Sequence, residues 1–323
     1  MLYLICLMEA IMKDLNVVFM GTPDFSVPVL DALIKNTNVV MVVTQPDKLV
    51  GRKKELTASP VKKLAVENNI EVFQPVKIRE DYQAIIDIKP DIIITCAYGQ
   101  IIPKVLLDLP KLGCVNVHAS LLPKYRGGAP IHKCLIDGED VTGVTIMYMD
   151  EGMDTGDMIK KAEYKINEYD NVGTLHEKLS LIGADLLIET LPSIIDGTSE
   201  RIKQKDEEAT IARVIKREDE KLNFMDTSRE IVNRIRGLNP WPLAYILIDG
   251  QEVKVLEAYI EEYDGYDCPG EIIDIRKDAI GIKSNDGIVY ITKIKPFGKK
   301  IMLVRDYLNG VDKNSLLGKV VDM

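Results

Sequence analysis

Asn116 and His118 stand two positions apart in the run Cys114-Val115-Asn116-Val117-His118, and their types suit chemistry at a carbonyl carbon. The run is short and β-branched, and it breaks at once into Ala119-Ser120-Leu121-Leu122-Pro123-Lys124-Tyr125-Arg126-Gly127-Gly128, a loop marked by Pro and Gly. Side chains alternate faces along a strand, so the amide and the imidazole project the same way where the chain is about to turn. One can hold a polar carbonyl while the other handles a proton, and the loop offers free backbone groups to a ligand. Taken alone, Asn-x-His is better read as two ordinary polar residues bonded to nearby backbone.

Such a pair needs a sheet to hold it. Val17–Met20 is an apolar run followed by the turn Gly21-Thr22-Pro23-Asp24 and a helical stretch over Ser26–Leu33. The pattern then repeats, with strands over Val39–Thr44, Glu71–Phe73, Ile92–Ala97 and Val115–His118 and helices over Pro60–Asn68, Asp81–Ile88 and Pro103–Leu107. Alternation at these lengths predicts an α/β domain, a Rossmann-like mostly parallel sheet covered by helices on both faces. Ligands then sit at the carboxyl ends of the strands, where Asn116 and His118 fall. Gly21 stands alone, without the G-x-G-x-x-G spacing that pyrophosphate needs, so dinucleotide binding is not expected.

With 323 residues, 46% of them hydrophobic, the chain is long enough for two packed domains. The expected division is an extension over residues 1–15, a catalytic domain over 16–200, a polar linker over 201–216 and a smaller C-terminal domain over 217–323. In the last, Ser228–Gly237 reads as an amphipathic helix presenting Arg229, Arg234 and Arg236, and Leu238-Asn239-Pro240-Trp241-Pro242 as a rigid turn carrying the single tryptophan. Strands then recur over Ala244–Ile248, Glu252–Ala258, Gly270–Ile275, Ala279–Ile282 and Ile288–Ile294, which suggests a small OB-like β-barrel. The net charge of -9 excludes a uniformly basic nucleic-acid binder. Residues 201–323, however, carry 21 Lys and Arg against 22 Asp and Glu, a near neutrality that suits a face turned to nucleic acid.

Five cysteines without C-x-x-C spacing read as free thiols in a reducing, cytoplasmic setting, with no disulfide. His118, His132 and His176 are the only histidines, and no pair has metal-ligand spacing, so no metal is expected. His132 reads as structural or surface-facing and His176 as solvated. The apolar opening Met1–Met8 lacks a basic lead and is too short to span a membrane, and Met12-Lys13-Asp14 would make a natural start. Two stretches stay open between a functional and an ordinary reading. Gln45–Leu56 places Arg52, Lys53 and Lys54 at a loop tip that either grips phosphates or is merely solvated. Ala97–Pro103 either lines a flat heteroaromatic pocket with Gly99, Gln100 and Ile101 or simply connects strand to helix.

Asn116-Val117-His118-Ala119-Ser120-Leu121-Leu122-Pro123, followed by Arg126-Gly127-Gly128-Ala129-Pro130, resembles the signature of the folate-dependent formyltransferases. Gly21-Thr22-Pro23-Asp24-Phe25 and the segment from Val144 to Asp157 match further motifs, and the resemblance runs from about Asn16 to the C-terminus. It is closest to the branch of that family that formylates methionyl initiator tRNA. The resemblance implies that Asn116, His118 and Asp154 are catalytic. It also implies that 10-formyltetrahydrofolate is the formyl donor, its pterin held by Gly99, Gln100 and Ile101 against Ser120, Leu121, Leu122, Pro123 and the loop from Asp150. It gives Arg52, Lys53 and Lys54 to the tRNA acceptor arm; Lys299 and Lys300, in the densest basic cluster of the C-terminal domain, are either a tRNA-facing patch or solvated surface. No obligate protein partner is implied. Formylation of a small amine such as glycinamide ribonucleotide or an amino-sugar nucleotide, and a non-catalytic tRNA- or folate-binding protein, are the alternatives.

Overall fold

The computed structural model describes residues 8, 10–51 and 54–321. The chain falls into two compact units: Met1–Pro130, Val141–Tyr164 and His176–Ala212 form the first, and Ile131–Asp140, Lys165–Leu175 and Arg213–Met323 the second.

The first unit is built on a sheet of seven strands. They are β1 (Asn16–Gly21), β2 (Asn38–Val43), β5 (Val72–Phe73), β6 (Ile92–Cys96), β7 (Cys114–His118), β8 (Val141–Tyr148) and β9 (Met158–Lys165). Their spatial order is β5, β2, β1, β6, β7, β8, β9. Pairing from β5 to β7 is parallel, and β8 runs antiparallel to β7. Central strands of such a sheet are covered on both faces and so read as continuous apolar runs. In β1, Val17, Val18, Phe19 and Met20 are all fully buried, at about 1.5–3 kcal/mol of transfer free energy for each such side chain.

Helices α1 (Val27–Asn36), α2 (Pro60–Glu67), α3 (Gln83–Ile88) and α4 (Lys104–Leu107) connect the parallel strands. Pro60 opens α2 behind Ser59, whose hydroxyl accepts from Lys62 N at 3.1 Å, the expected chemistry of a helix start. One buried layer joins Val18, Met20, Ile93 and Cys114 to Ile85 of α3 and Leu106 of α4. By strand alternation, Thr95, Asn116 and His118 project to that face. On the other face, Gly183 of the helix over Val172–Ile195 lies so close to Val117 and Val144 that a methyl there would need a neighbour to shift. Gly183 thus lets the helix back approach β7 behind the polar pair.

Two short strands differ from expectation. β3 (Lys48–Val50) and β4 (Glu55–Thr57), inside the stretch read as a plain loop, pair antiparallel through Leu49 and Leu56 and put Gly51 and Lys54 near the turn. Residues 201–212, read as linker, belong to the first unit: Ile202 bridges Met158 and Ile211 bridges Arg126.

The second unit holds the helix over Ser228–Leu238 and an antiparallel sheet of six strands. These are β10 (Ala244–Ile248), β11 (Gln251–Glu262), β12 (Ile272–Ile275), β13 (Ile280–Lys283), β14 (Gly287–Pro296) and β15 (Met302–Leu303). The path runs β10, β11, β14, β13, β12, with β15 on β14; β15 lies in a segment too short to stand out by its own pattern. Thr227 and Glu230 cap the helix reciprocally, and Ile231, Ile235 and Leu238 join Val255, Ile282 and Val289 in one core. Of the arginines expected to be presented outward, two are used internally. Arg234 donates to Asp219 O at 3.1 Å, and Arg236 to Asp170 O at 2.8 Å and Asn167 O at 2.9 Å. Trp241 follows the helix, 44% exposed, with its ring edge-on to His132, whose Nδ1 lies 2.8 Å from Gly237 O.

Candidate active site

The register of β6 on β7 sets Thr95 opposite Asn116. Thr95 Oγ1 donates to Asn116 Oδ1 at 2.8 Å, which leaves the amide nitrogen as the free end. That Nδ2 has no hydrogen-bond partner among the described residues, and Asn116 is the one residue of β7 that is not buried. An amide N–H pair aimed outward from a strand end is a ready donor for a ligand carbonyl.

His118 is 6% exposed and both ring nitrogens are accounted for. Nε2 lies 3.0 Å from Tyr125 O; a carbonyl can only accept, so this nitrogen carries the proton in the neutral ring. Nδ1 faces Asp154 Oδ1 at 3.6 Å. In the neutral ring Nδ1 is therefore the nitrogen with the free lone pair, and it is the one turned to the carboxylate. The other oxygen of Asp154 accepts from Gly127 N at 2.8 Å.

The loop that carries Asp154 is tightly constrained. Asp154 sits in the left-handed region with φ +55, at a cost of about 1–2 kcal/mol for a residue with a Cβ. Gly156 packs its backbone against the Tyr148 carbonyl so closely that a Cβ would collide with it. Gln204 Nε2 donates to Asp154 O at 2.7 Å and to Gly156 O at 2.8 Å, and its Oε1 accepts from Arg126 Nε at 2.9 Å.

The remaining expected ligand residues divide. Ser120 Oγ donates to Lys124 O at 2.7 Å, and buried Thr145 holds the same loop by donating to Ser120 O at 2.7 Å and accepting from Leu122 N at 3.1 Å. Leu122 is buried with Met147 and Met158, so its backbone rather than its side chain is what a ligand could meet; Leu121 and Pro123 are half-buried. Lys161 Nζ donates to Leu122 O. In the loop after β6, Gly99 has φ +83 and leaves room for Gln45 Nε2, which a Cβ there would meet, and Ile101 is exposed. Gln100 is committed to its neighbours: Oε1 accepts from Ile78 N at 2.9 Å and Nε2 donates to Val76 O at 3.3 Å. Asp150 likewise braces its own loop, accepting from Gly152 N at 3.0 Å and Thr155 Oγ1 at 2.7 Å.

Sequence reading missed Thr95, Thr145 and Gln204. The threonines are the polar interruptions of the apolar runs Ile92–Cys96 and Val144–Tyr148, a signal that was available; Gln204 lies in a polar stretch with none. Cys96 and Cys114, near Asn116 in sequence or across the sheet, are not nucleophiles: burial pushes each thiol up to about 12. His176, expected to be solvated, is half-buried with its ring 5.2 Å from that of Phe25, and burial lowers its basicity. Among the described residues no cluster of three His, Cys, Asp or Glu could hold a metal ion, and no helix is long and apolar enough to cross a membrane.

Of the basic residues, Arg52 and Lys53 lie outside the described residues, and Lys54 is exposed with φ +50 near the hairpin turn. Lys299 and Lys300 are exposed between β14 and β15 and form no ion pair among the described residues, with Lys299 Nζ 5.9 Å from the Tyr307 ring centre. Lys293, in the same cluster, is paired with Glu257 at 2.8 Å.

Comparison with known proteins adds three kinds of finding. The family model for formyl transferase matches residues 15–191, and that for the formyl transferase C-terminal domain matches residues 214–312. The methionyl-tRNA formyltransferase of Staphylococcus aureus strain MW2 is 51% identical over 307 residues, covering 94% of this chain and 98% of that protein. Among solved structures, an N-formyltransferase from Helicobacter canadensis with folinic acid and dTDP-3-aminofucose is similar in fold, with a TM-score of 0.66 at 23% identity over 87% of this chain and 100% of that one. HypX from Aquifex aeolicus with tetrahydrofolic acid has a TM-score of 0.60 at 18% identity, over 91% of this chain and 46% of that one. With both units matched and half the residues shared along nearly the whole length, the chain belongs to the formyl transferase family, among its methionyl-tRNA formyltransferases.

Proposed function

We propose that the chain transfers a formyl group from 10-formyltetrahydrofolate to the α-amino group of methionyl initiator tRNA, with Asn116, His118 and Asp154 as the catalytic set. The observation that carries the reading is their convergence at the end of β7: an amide with a free donor, and an imidazole whose basic nitrogen faces a carboxylate. A formyl donor fits this set, since its oxygen needs a donor and its transfer needs one proton moved. The exposed apolar side chain of Ile101 and the backbone of Leu121–Pro123 suit a flat ring nearby.

An α-amine has a reference pKa of about 8, so about a tenth of it is already unprotonated at neutral pH and geometry matters more than basicity. As the amine nitrogen bonds to the formyl carbon, Asn116 Nδ2 donates to the formyl oxygen while it gains negative charge, a role worth about 3 kcal/mol by analogy with other such donors. His118 Nδ1 takes the proton that the amine must lose, and Asp154 stabilises the imidazolium. The same proton then goes to N10 as the bond from N10 to the formyl carbon breaks, leaving tetrahydrofolate and the formylated amine. Arg52, Lys53, Lys54, Lys299 and Lys300 would meet tRNA phosphates, which supplies local positive charge despite the acidic whole.

The test is formyl transfer from 10-formyltetrahydrofolate to methionyl initiator tRNA, free methionine, glycinamide ribonucleotide and an amino-sugar nucleotide. Product on the charged tRNA alone is the expected result; preferential transfer to a small amine would overturn the choice of acceptor.

A further inference from the structure

Residues 201–208 are exposed with one exception, Gln204. Its side chain spans two loops. Through Oε1 it accepts from Arg126 Nε at 2.9 Å, and through Nε2 it donates to the carbonyls of Asp154 and Gly156 at 2.7 and 2.8 Å. Arg126 is itself 6% exposed, donates a second hydrogen bond to Asp206 Oδ1 at 2.9 Å, and is held through its backbone by Thr210 O and Ala212 N. It directly follows Tyr125, whose carbonyl receives His118 Nε2 and whose amide donates to Thr210 Oγ1 at 2.9 Å. One amide therefore joins the loop that anchors one nitrogen of the catalytic imidazole to the loop whose carboxylate faces the other.

We infer that Gln204 is a positioning residue for the Asp154–His118 pair, an inference that rests on the formyl-transfer reading above. The two carbonyls it clamps belong to the residues on either side of Thr155, in the 154–155 and 156–157 peptide units, so Nε2 fixes the orientation of the backbone just after Asp154. Asp154 holds a left-handed conformation that a free loop would leave, swinging its carboxylate off Nδ1. The donor end of the amide is the part that matters. A carboxylate at this position keeps a partner for Arg126 but sets an oxygen against two carbonyl oxygens, so Gln204→Glu separates the link to the Asp154 loop from the link to Arg126.

The experiment uses the full chain, with kcat and both KM values measured for the native enzyme, for Gln204→Ala and Gln204→Glu, and for Asp154→Asn with and without Gln204→Glu, beside thermal melts. Expected is a fall in kcat of about tenfold or more in both single Gln204 variants, with each KM within about two-fold of native. In the Asp154→Asn background, Gln204→Glu should lower kcat by less than about two-fold more, because the carboxylate it positions is already gone. A structural role alone would lower the melting temperature and cost the same factor in kcat in both backgrounds. If Gln204→Ala fails to fold, Gln204→Glu, which retains a partner for Arg126, carries the test. Native kcat in the single Gln204 variants, or an equal loss of kcat in the native and Asp154→Asn backgrounds, overturns the inference. A native enzyme without formyl transfer would instead bring down the functional reading itself.

Discussion

Thr95 Oγ1 lies 2.8 Å from Asn116 Oδ1 across the paired strands β6 and β7, and this hydrogen bond selects which end of the amide is offered to a ligand. Thr95→Val keeps the shape and removes the hydroxyl, so the amide can present either oxygen or nitrogen. One neutral hydrogen bond is worth about 1 kcal/mol, or roughly a five-fold loss of kcat, with the folate KM near native. Thr95→Ser should restore the rate. Steady-state kinetics on the three proteins decide it.

Asn116→Ala should lower kcat by about 10²- to 10³-fold, and His118→Ala by about 10²- to 10⁴-fold, as expected for an oxyanion donor and a proton-transfer group. Tetrahydrofolate binding, measured by calorimetry on protein with native circular dichroism, should persist in both. Turnover at the native rate in either variant would remove that residue from the catalytic set.

Gly156→Ala tests how exactingly the Asp154 loop must be placed. The added methyl meets the Tyr148 carbonyl, so the backbone must move, and a displacement of about 1 Å at a reacting group can cost 10²-fold in rate. A large fall in kcat together with a lower melting temperature is expected. Native behaviour would mean the loop relaxes without disturbing Asp154.

Neutralising Arg52, Lys53 and Lys54 together, and Lys299 with Lys300 separately, should raise KM for the tRNA and leave folate affinity unchanged. For every phosphate that a removed cation had neutralised, the plot of log affinity against log salt flattens by about 0.7–0.9. A salt slope equal to native would show that the altered lysines and arginine do not meet phosphate.

His176 gives the protein a pH dependence away from the reacting groups. Its burial lowers its pKa, against the opposing pull of Asp24 and Glu177. A depressed folded pKa means that the stabilising difference is present above the unfolded value, about 6.5, and is lost as pH falls through the folded one. Melting temperatures should therefore drop on acidification below about pH 6.5 more steeply in the native protein than in His176→Gln. Parallel curves would show that the imidazole titrates as it does in the unfolded chain.

Much of this was legible because local patterns and final positions agree. The parallel core strands appear in the sequence as apolar runs since both their faces are buried, and Asn116 and His118 share a face by alternation alone. Thr95 and Asn116, 21 residues apart, meet only through the register of two strands, which no local pattern specifies. Residues 201–212 look like a linker because they are attached by isolated bridges and scattered polar contacts, the Gln204 amide among them, rather than by a periodic apolar face. The hairpin of β3 and β4 was hidden because its strands are three residues each and mostly exposed. His176 could not be told from a surface histidine until Phe25 was brought against it by the fold.

The lone indole of Trp241, beside His132 in the second unit, makes that unit separately visible by spectroscopy. Emission from the single tryptophan reports melting of the antiparallel unit, whereas loss of tetrahydrofolate binding, proposed for residues of the parallel unit alone, reports melting of that one. Denaturant curves followed by the two signals would superimpose for one cooperative transition and diverge for two, so the native chain already carries its own test of whether its halves unfold together.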